Sequence, residues 1–344
     1  MPKNTQSKIL VIYTGGTIGM KADPEGVLRP FDFHQILSEV PELGKFAVGI
    51  DTVAFDPLID SSDVEPSMWQ KLATLIGESY DDYDGFVILH GTDTMAYSAS
   101  ALSFMLWGLA KPVVFTGSQL PIGVPRTDGR ENLIGAVEIA SAKDSDGRAI
   151  VPEVAIWFDS QLIRGNRAVK ISSENFNAFR SPNYPLLAEA GINIRYNRAF
   201  ILPPSDGPLE VRTDLDTRVS ILKIHPGITR EVVRNVILGP ESRAVILETY
   251  GSGNAPAKDW FLDLVGQAVK MGKIVLNVTQ CLTGNVDMRI YATGKALMSR
   301  GVLSGYDSTT ESALSKLFCL LGRFPDNAEA ASLLETNLRG EITK

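Results

Sequence analysis

Short runs of bulky apolar residues constrain the fold of this chain more than any other feature. KILVIY, GFVILH, KPVVFTG, EVAIWF, VSILKI, RAVILET and KIVLNV recur along it, each rich in valine and isoleucine. They lack the polar alternation of a strand with one wet face, so each reads as a parallel strand covered on both sides. Between them lie helix-like segments, among them Pro66 to Ser79, Thr94 to Leu109, Asn132 to Ser141, Thr229 to Leu238 and Pro256 to Met271. Strand alternating with helix is the rhythm of βαβ units, which makes the chain an α/β protein.

The 344 residues, 44% hydrophobic and 21% charged, suffice for one large core or two ordinary ones. LPPSDGPLEVRTDLDTR, Leu202 to Arg218, combines prolines and charges with little apolar content. It predicts a linker over 202–218, between a domain of residues 1–201 and one of residues 219–344. The expected architecture is two α/β domains: a larger N-terminal one with a parallel-rich sheet and helices on both faces, and a smaller C-terminal one with a parallel sheet. A net charge of −7, from 40 acids and 33 bases without a basic tract, disfavours nucleic acid as a partner. Cys281 and Cys319 are too few for a disulfide framework and occupy no metal-ligand spacing. They read as buried small residues in a reducing compartment. The N-terminus offers too short an apolar stretch for a signal core, and no segment reaches spanning length, so a cytoplasmic protein that avoids membranes is expected.

In α/β folds ligands bind where strand ends turn into helices, and two such turns here carry more polar chemistry than a turn needs. In TGGTIGM, Gly15 and Gly16 permit unusual backbone angles and clear room for a close approach. The turn either cradles an anion or aims a hydroxyl. Its glycines space as G-G-x-x-G, not as G-x-G-x-x-G, and no G-K-S/T follows, which disfavours phosphate. HGTDTM, His90 to Met95, sets Thr92, Asp93 and Thr94 at the mouth of a buried strand. A carboxylate and hydroxyls are costly to bury there without a partner or ligand, although Asp93 or Thr94 can equally be a helix N-cap and nothing more. His34, His90 and His225 lie in neither a G-x-S-x-G elbow nor an H-E-x-x-H helix, which disfavours a Ser-His-Asp hydrolase. His90 reads as a satisfied core residue. A threonine nucleophile would then need activation by a lysine, a carboxylate, a tyrosine or the substrate itself.

These turns resemble the paired threonine motifs of L-asparaginases. The resemblance rests on TGGTI, DSSD at Asp60 to Asp63 and GFVILHGTDTM, then GSQ at Gly117 to Gln119 and RGNRAVK at Arg164 to Lys170. It continues through YGSGNAP at Tyr250 to Pro256 and TQC at Thr279 to Cys281, so that it covers nearly the whole chain. The chain enters its first strand directly, which makes it most similar to the cytosolic type I branch. The resemblance implies hydrolysis of L-asparagine to L-aspartate and ammonia through a covalent acyl-enzyme, with no cofactor or metal. Thr14 is then the implied nucleophile, and Thr92 the second threonine, which orients the attacking group or water and offers its N–H to an oxyanion. Lys170, partly buried, would hold Thr92 and ease its deprotonation. Asp93 would bind the α-ammonium of the substrate and support the Thr92 and Lys170 pair, while Ser61, with Ser62, would meet the α-carboxylate. Asn254 resembles a pocket residue contributed by a neighbouring subunit, and Tyr291 in MRIYATGK resembles a tyrosine that some members bring to the site. The implied assembly is a homodimer or a dimer of dimers.

Bland alternatives and departures stand beside these roles. Ser61 and Ser62 can equally cap the helix that starts near Pro66, and an isolated lysine such as Lys170 is ordinarily a solvated surface group. Val27 stands about where many members carry a tyrosine that bonds the nucleophile. Val169 and Glu248 occupy positions where members activated by a second asparagine place a threonine and an arginine, although Cys281 is retained. An apolar group and an acid cannot replace a hydroxyl and a guanidinium against a carboxylate, so homotropic activation is expected to be weak or absent. Two rival readings are a glutaminase or other amidase on the same scaffold and a non-catalytic amino-acid sensor. Thr14, Thr92 and Lys170 together exceed what a sensor needs, which favours the enzyme.

Overall fold

The computed structural model describes residues 7–22, 28–30 and 39–344. The chain divides into two compact units, Met1–Arg212 and Thr213–Lys344. In the first, the strands of the main sheet are β1 (Ser7–Tyr13), β2 (Val48–Ala54), β3 (Gly85–Leu89), β4 (Val113–Thr116), β5 (Val154–Phe158), β6 (Gln161–Arg164), β7 (Ala188–Ala190) and β8 (Ile194–Tyr196). They form one 8-stranded sheet in the order β8-β7-β6-β5-β4-β3-β1-β2. From β2 through β5 every pairing is parallel; β6, β7 and β8 continue the sheet antiparallel, which the sequence pattern left unread.

The apolar runs explain why β1, β3, β4 and β5 fill the middle. Ile9, Val11, Tyr13, Val87, Leu89, Val114 and Trp157 point to one face, against Leu133, Ala136, Val137 and Ala140 of helix α3 (Gly129–Ser141). The alternate residues Leu10, Ile12, Phe86 and Ile88 are buried on the other face. Helices α1 (Pro66–Glu78) and α2 (Met95–Met105) precede α3. The helix expected over Thr94 to Leu109 stops at Met105, because Leu106–Trp107 leave it to pair as a strand with Glu210–Val211.

The strand order reverses at β1, which has β2 on one side and β3 on the other. Successive connections therefore leave β1 in opposite directions and open a crevice at the carboxyl ends of β1 and β3, the topological switch point where α/β sheets bind ligands. TGGTIGM follows β1 and HGTDTM follows β3.

The second unit holds a 4-stranded sheet of β9 (Val219–Lys223), β10 (Ala244–Thr249), β11 (Ile274–Thr279) and β12 (Leu303–Ser304), parallel throughout and in chain order. Helices α4 (Arg230–Ile237) and α5 (Asp259–Lys270) cover one face through Val233, Ile237, Phe261 and Val265. Between β11 and β12 comes α6 (Ala292–Met298). The other face is covered by α7 (Thr310–Arg323) and α8 (Asn327–Leu334) through Leu317, Leu320, Leu321 and Leu334. The expectation that VSILKI is covered on both faces fails, since β9 is an edge strand that turns Leu222 inward but leaves Ile221 39% exposed. Among the described residues no helix is long and apolar enough to cross a membrane.

Candidate active site

Three polar turns meet at the switch point because glycine lets them approach one another closely. Gly16 has φ +92°, and a Cβ there would sit 2.5 Å from the Gly91 nitrogen. A Cβ on Gly91 would in turn sit 2.5 Å from Ser61 Oγ. Any side chain at either position would force the first turn, the second turn and the Ser61 turn apart. The glycines of TGGTIGM and HGTDTM therefore serve a backbone-to-backbone approach, which neither motif reveals by itself.

Thr14 is 1% exposed at the end of β1. Its amide donates to the Leu89 carbonyl at 3.0 Å and so continues the β1–β3 register, and its Oγ1 donates to the same oxygen at 3.0 Å. The Ile59 amide donates to the Thr14 carbonyl at 2.9 Å, fixing the approach to Ser61. Ser61–Asp63 form a single 3₁₀ turn with Ser61 buried. Asp60 accepts from the Ser62 amide at 2.9 Å and from Ser62 Oγ at 2.8 Å. The Ser62 amide first, then its hydroxyl, hold the Asp60 carboxyl below its ordinary range. Ser62 is thus engaged with Asp60, while Ser61 faces Gly91. The capping alternative fails for both serines, because α1 has Glu65 at its N-cap and no side-chain cap bond.

Lys170 is the group that turns the second turn into a charged cluster. Its Nζ lies 2.8 Å from Thr92 Oγ1 and 2.6 Å from Asp93 Oδ1. The lysine side chain is 18% exposed and that of Asp93 62%, so the ammonium is shielded while the carboxylate meets solvent. The solvated-lysine alternative therefore fails. Small residues explain how Lys170 reaches Thr92 across 78 positions of sequence. Gly165 presses on Ala99 of α2, where a Cβ would meet the Ala99 carbonyl at 3.1 Å. Buried Ser98, Ala99, Ser100, Ala101 and Ser103 keep that helix surface thin. Arg164 anchors the same segment from behind, in a buried ion pair with Glu153 at 2.6 Å, its guanidinium 4.3 Å over the Tyr184 ring. The pair Val169–Lys170 then runs antiparallel to Phe179–Arg180 and delivers the lysine.

His90 is a satisfied core residue. Trp69 Nε1 donates to Ser98 Oγ at 2.8 Å, Ser98 Oγ lies 2.9 Å from His90 Nε2, and His90 Nδ1 lies 2.6 Å from the Gly91 carbonyl. Because a carbonyl can only accept, the Gly91 oxygen sets the hydrogen on Nδ1, and Nε2 of the neutral ring accepts from Ser98 Oγ. Burial lowers the pKa of His90 to about 4, against a smaller opposite effect of the Gly91 carbonyl. In the turn after β4, Gln119 Nε2 donates to the Asn175 carbonyl at 3.0 Å, and the Asp128 carboxylate accepts from the amides of Gln119 and Leu120.

The remaining expected residues lie in the second unit. Asn254 closes a tight turn after β10, where its amide donates to the Tyr250 carbonyl at 2.8 Å, and Thr293 Oγ1 donates to Asn254 Oδ1 at 2.6 Å. Tyr291 is the N-cap of α6 and 55% exposed. Glu248 accepts from Thr310 Oγ1 at 2.7 Å. The expectation of buried cysteines is corrected: Cys281 is exposed and Cys319 partly so, the first because it stands in the turn beyond the end of β11. Val27 lies outside the described residues.

A parallel-rich α/β sheet that gathers hydroxyls, an ammonium and a carboxylate at its switch point defines a small-molecule site of the α/β class. Residues 8–202 match the family profile described as Asparaginase, N-terminal, and residues 218–334 the Glutaminase/Asparaginase C-terminal domain. The chain belongs to the asparaginase family. It is 44% identical over 341 residues to L-asparaginase 1 of Escherichia coli strain K12, a match spanning 98% of both chains. The crystal structure of L-asparaginase I from Vibrio cholerae superposes with a TM-score of 0.90 at 42% identity, covering 98% of this chain and 100% of that one. The thermostable L-asparaginase from Thermococcus kodakarensis gives 0.89 at 34% identity, covering 98% and 99%.

Proposed function

We propose that this chain hydrolyses L-asparagine to L-aspartate and ammonia, with Thr14 as the nucleophile. The observation that carries this reading is the Lys170 ammonium within hydrogen-bond reach of both Thr92 Oγ1 and Asp93, on a turn whose backbone touches that of the Thr14 turn. Binding modules need complements to the two charges of an amino acid. They do not need two buried or half-buried threonines and a lysine aimed at one of them.

In this reading Thr14 Oγ1 leaves the Leu89 carbonyl and attacks the side-chain amide carbon, and its proton passes to the amide nitrogen, which leaves as the C–N bond breaks. The oxyanion forms beside the Thr92 N–H, ammonia departs, and water cleaves the resulting ester to release L-aspartate and free Thr14. Lys170 places a positive charge beside Thr92 and stabilises any negative charge that develops on its hydroxyl. Asp93, largely open to solvent, meets the α-ammonium, and Ser61 meets the α-carboxylate. Asn254 completes the pocket from a second copy, as a homodimer or a dimer of dimers, and Tyr291 is a further tyrosine of the site. Exposed Tyr250, Leu282, Ile290 and Tyr291 in the turns that follow β10 and β11 support such a partner. An exposed cysteine outside any disulfide, Cys281, suits a cytoplasmic, reducing compartment. The same reading takes residues 1–201 and 219–344 as the domains and 202–218 as their linker.

The test is ammonia release from L-asparagine and from L-glutamine by the wild type and by Thr14→Ala. Release from L-asparagine that falls at least about a thousandfold in the variant is expected. Glutamine, longer by one methylene, should be poorer by about 10- to 200-fold. No release from either amide by the folded wild type would overturn the reading in favour of a sensor.

A further inference from the structure

The N-cap of α2 breaks a local rule. A threonine at a helix N-cap ordinarily accepts a hydrogen bond from an amide of the first turn. Thr229 does so for α4, accepting from Val232, and Thr309 for α7, accepting from Ser312. Thr94 holds the same position on α2 and makes no such bond. Its Oγ1 donates instead to the carbonyl of Ser61, 33 residues away, at 2.7 Å. A cap left unmade beside a site is a departure from local consistency that points to function.

The geometry points to Thr94 as a positioning residue for substrate binding: its hydroxyl fixes the Ser61 turn so that Ser61 stands ready for the α-carboxylate. This rests on the reading of Ser61 given above. The Ser61 turn hangs between the two threonine turns. On one side the Ile59 amide is tied to the Thr14 carbonyl at 2.9 Å; on the other, Thr94 holds the Ser61 carbonyl. Between these ties Ser61 is 6% exposed and packs directly on Gly91. Thr94 itself begins the helix that carries Thr92 and Asp93 at its entry, so the bond sets the groups for the two ends of the amino acid at a fixed separation. Loss of the hydroxyl frees the Ser61 turn without touching Thr92 or Lys170. Its consequence is weaker binding of any ligand with an α-carboxylate, and little change in turnover.

Thr94→Val removes the hydroxyl at nearly constant shape, and Thr94→Ser keeps it. The measurements are kcat and KM with L-asparagine, and the Kd of L-aspartate by calorimetry. In Thr94→Val, KM and Kd should both rise about tenfold while kcat stays within about twofold. Thr94→Ser should restore both constants, and in a Ser61→Ala background the Thr94→Val step should add nothing. Unchanged KM and Kd in Thr94→Val, a serine variant as weak as the valine, or a fall confined to kcat would overturn the inference. Thr94→Ala takes the place of the valine variant if that one does not fold. A wild type that binds L-aspartate without hydrolysing L-asparagine would refute the function alone, and the Kd series would still decide the role of Thr94. One that does neither would refute both.

Discussion

The two units hold their expected site residues differently. In the N-terminal unit Thr14, Ser61, Thr92 and Lys170 are locked by bonds and close backbone contacts inside the unit. In the C-terminal unit Asn254 is tied, among the described residues, only to its own turn and to Thr293, and Tyr291 stands more than half exposed among apolar side chains. Thr92 and Lys170, already paired, need little reorganisation when charge develops beside them, which is where electrostatic catalysis gains most, whereas Thr14 must first leave the Leu89 carbonyl. Groups on an exposed apolar rim act by closing a pocket. In the proposed mechanism the first unit carries turnover and binds the two charged ends of the substrate, and Asn254 and Tyr291 of the second are left to close the pocket.

Lys170→Met is the strongest way to break that comparison: kcat for L-asparagine should fall by about a hundred- to ten-thousandfold, and the thermal midpoint should move little because the side chain is peripheral to the core. Asn254→Ala should act mainly on KM, by about tenfold, and more severely in dilute protein if a second copy supplies it. An Asn254→Ala variant that loses turnover as fully as Lys170→Met would erase the distinction.

Acid stability sharpens the first unit's side of it. A histidine whose folded pKa lies at about 4 is neutral in the native state at pH values where an unfolded histidine, near 6.5, already takes up a proton. The stabilisation from His90 is therefore complete above about pH 6.5 and lost as pH falls toward 4, by about 3 kcal/mol. Urea midpoints between pH 8 and pH 4.5 measure it, and His90→Gln should flatten the His90 part of that slope. The smallest expected effect is the absence of one: with Val169 and Glu248 in place, and Glu248 already held by Thr310, rates should follow a hyperbola in L-asparagine. A clearly sigmoidal curve would contradict this.

Much of this was legible in the sequence, because buried strands and glycine-rich turns are local signals. The four central strands, the second parallel sheet and the two threonine turns all follow from runs a few residues long. What escaped depends on contacts made only in three dimensions. The cap position of Thr94 is readable, but its bond to Ser61 spans 33 residues. Lys170 looks like any surface lysine until Gly165 meets Ala99. The exposure of Ile221 follows from the edge position of β9, which no run of apolar residues announces. Ser61 and Ser62 look interchangeable as letters, yet one is buried against Gly91 and the other exposed and bonded to Asp60.

The central claim is that Thr14 carries the acyl group. Turnover of L-asparagine quenched in acid within milliseconds, followed by proteolysis and mass spectrometry, tests it most directly. The account predicts a β-aspartyl ester on the peptide beginning at Ile9, localised by fragmentation to Thr14 and absent from Thr14→Ala. An ester localised to Thr92, or wild-type turnover with no ester at any quench time, would contradict it.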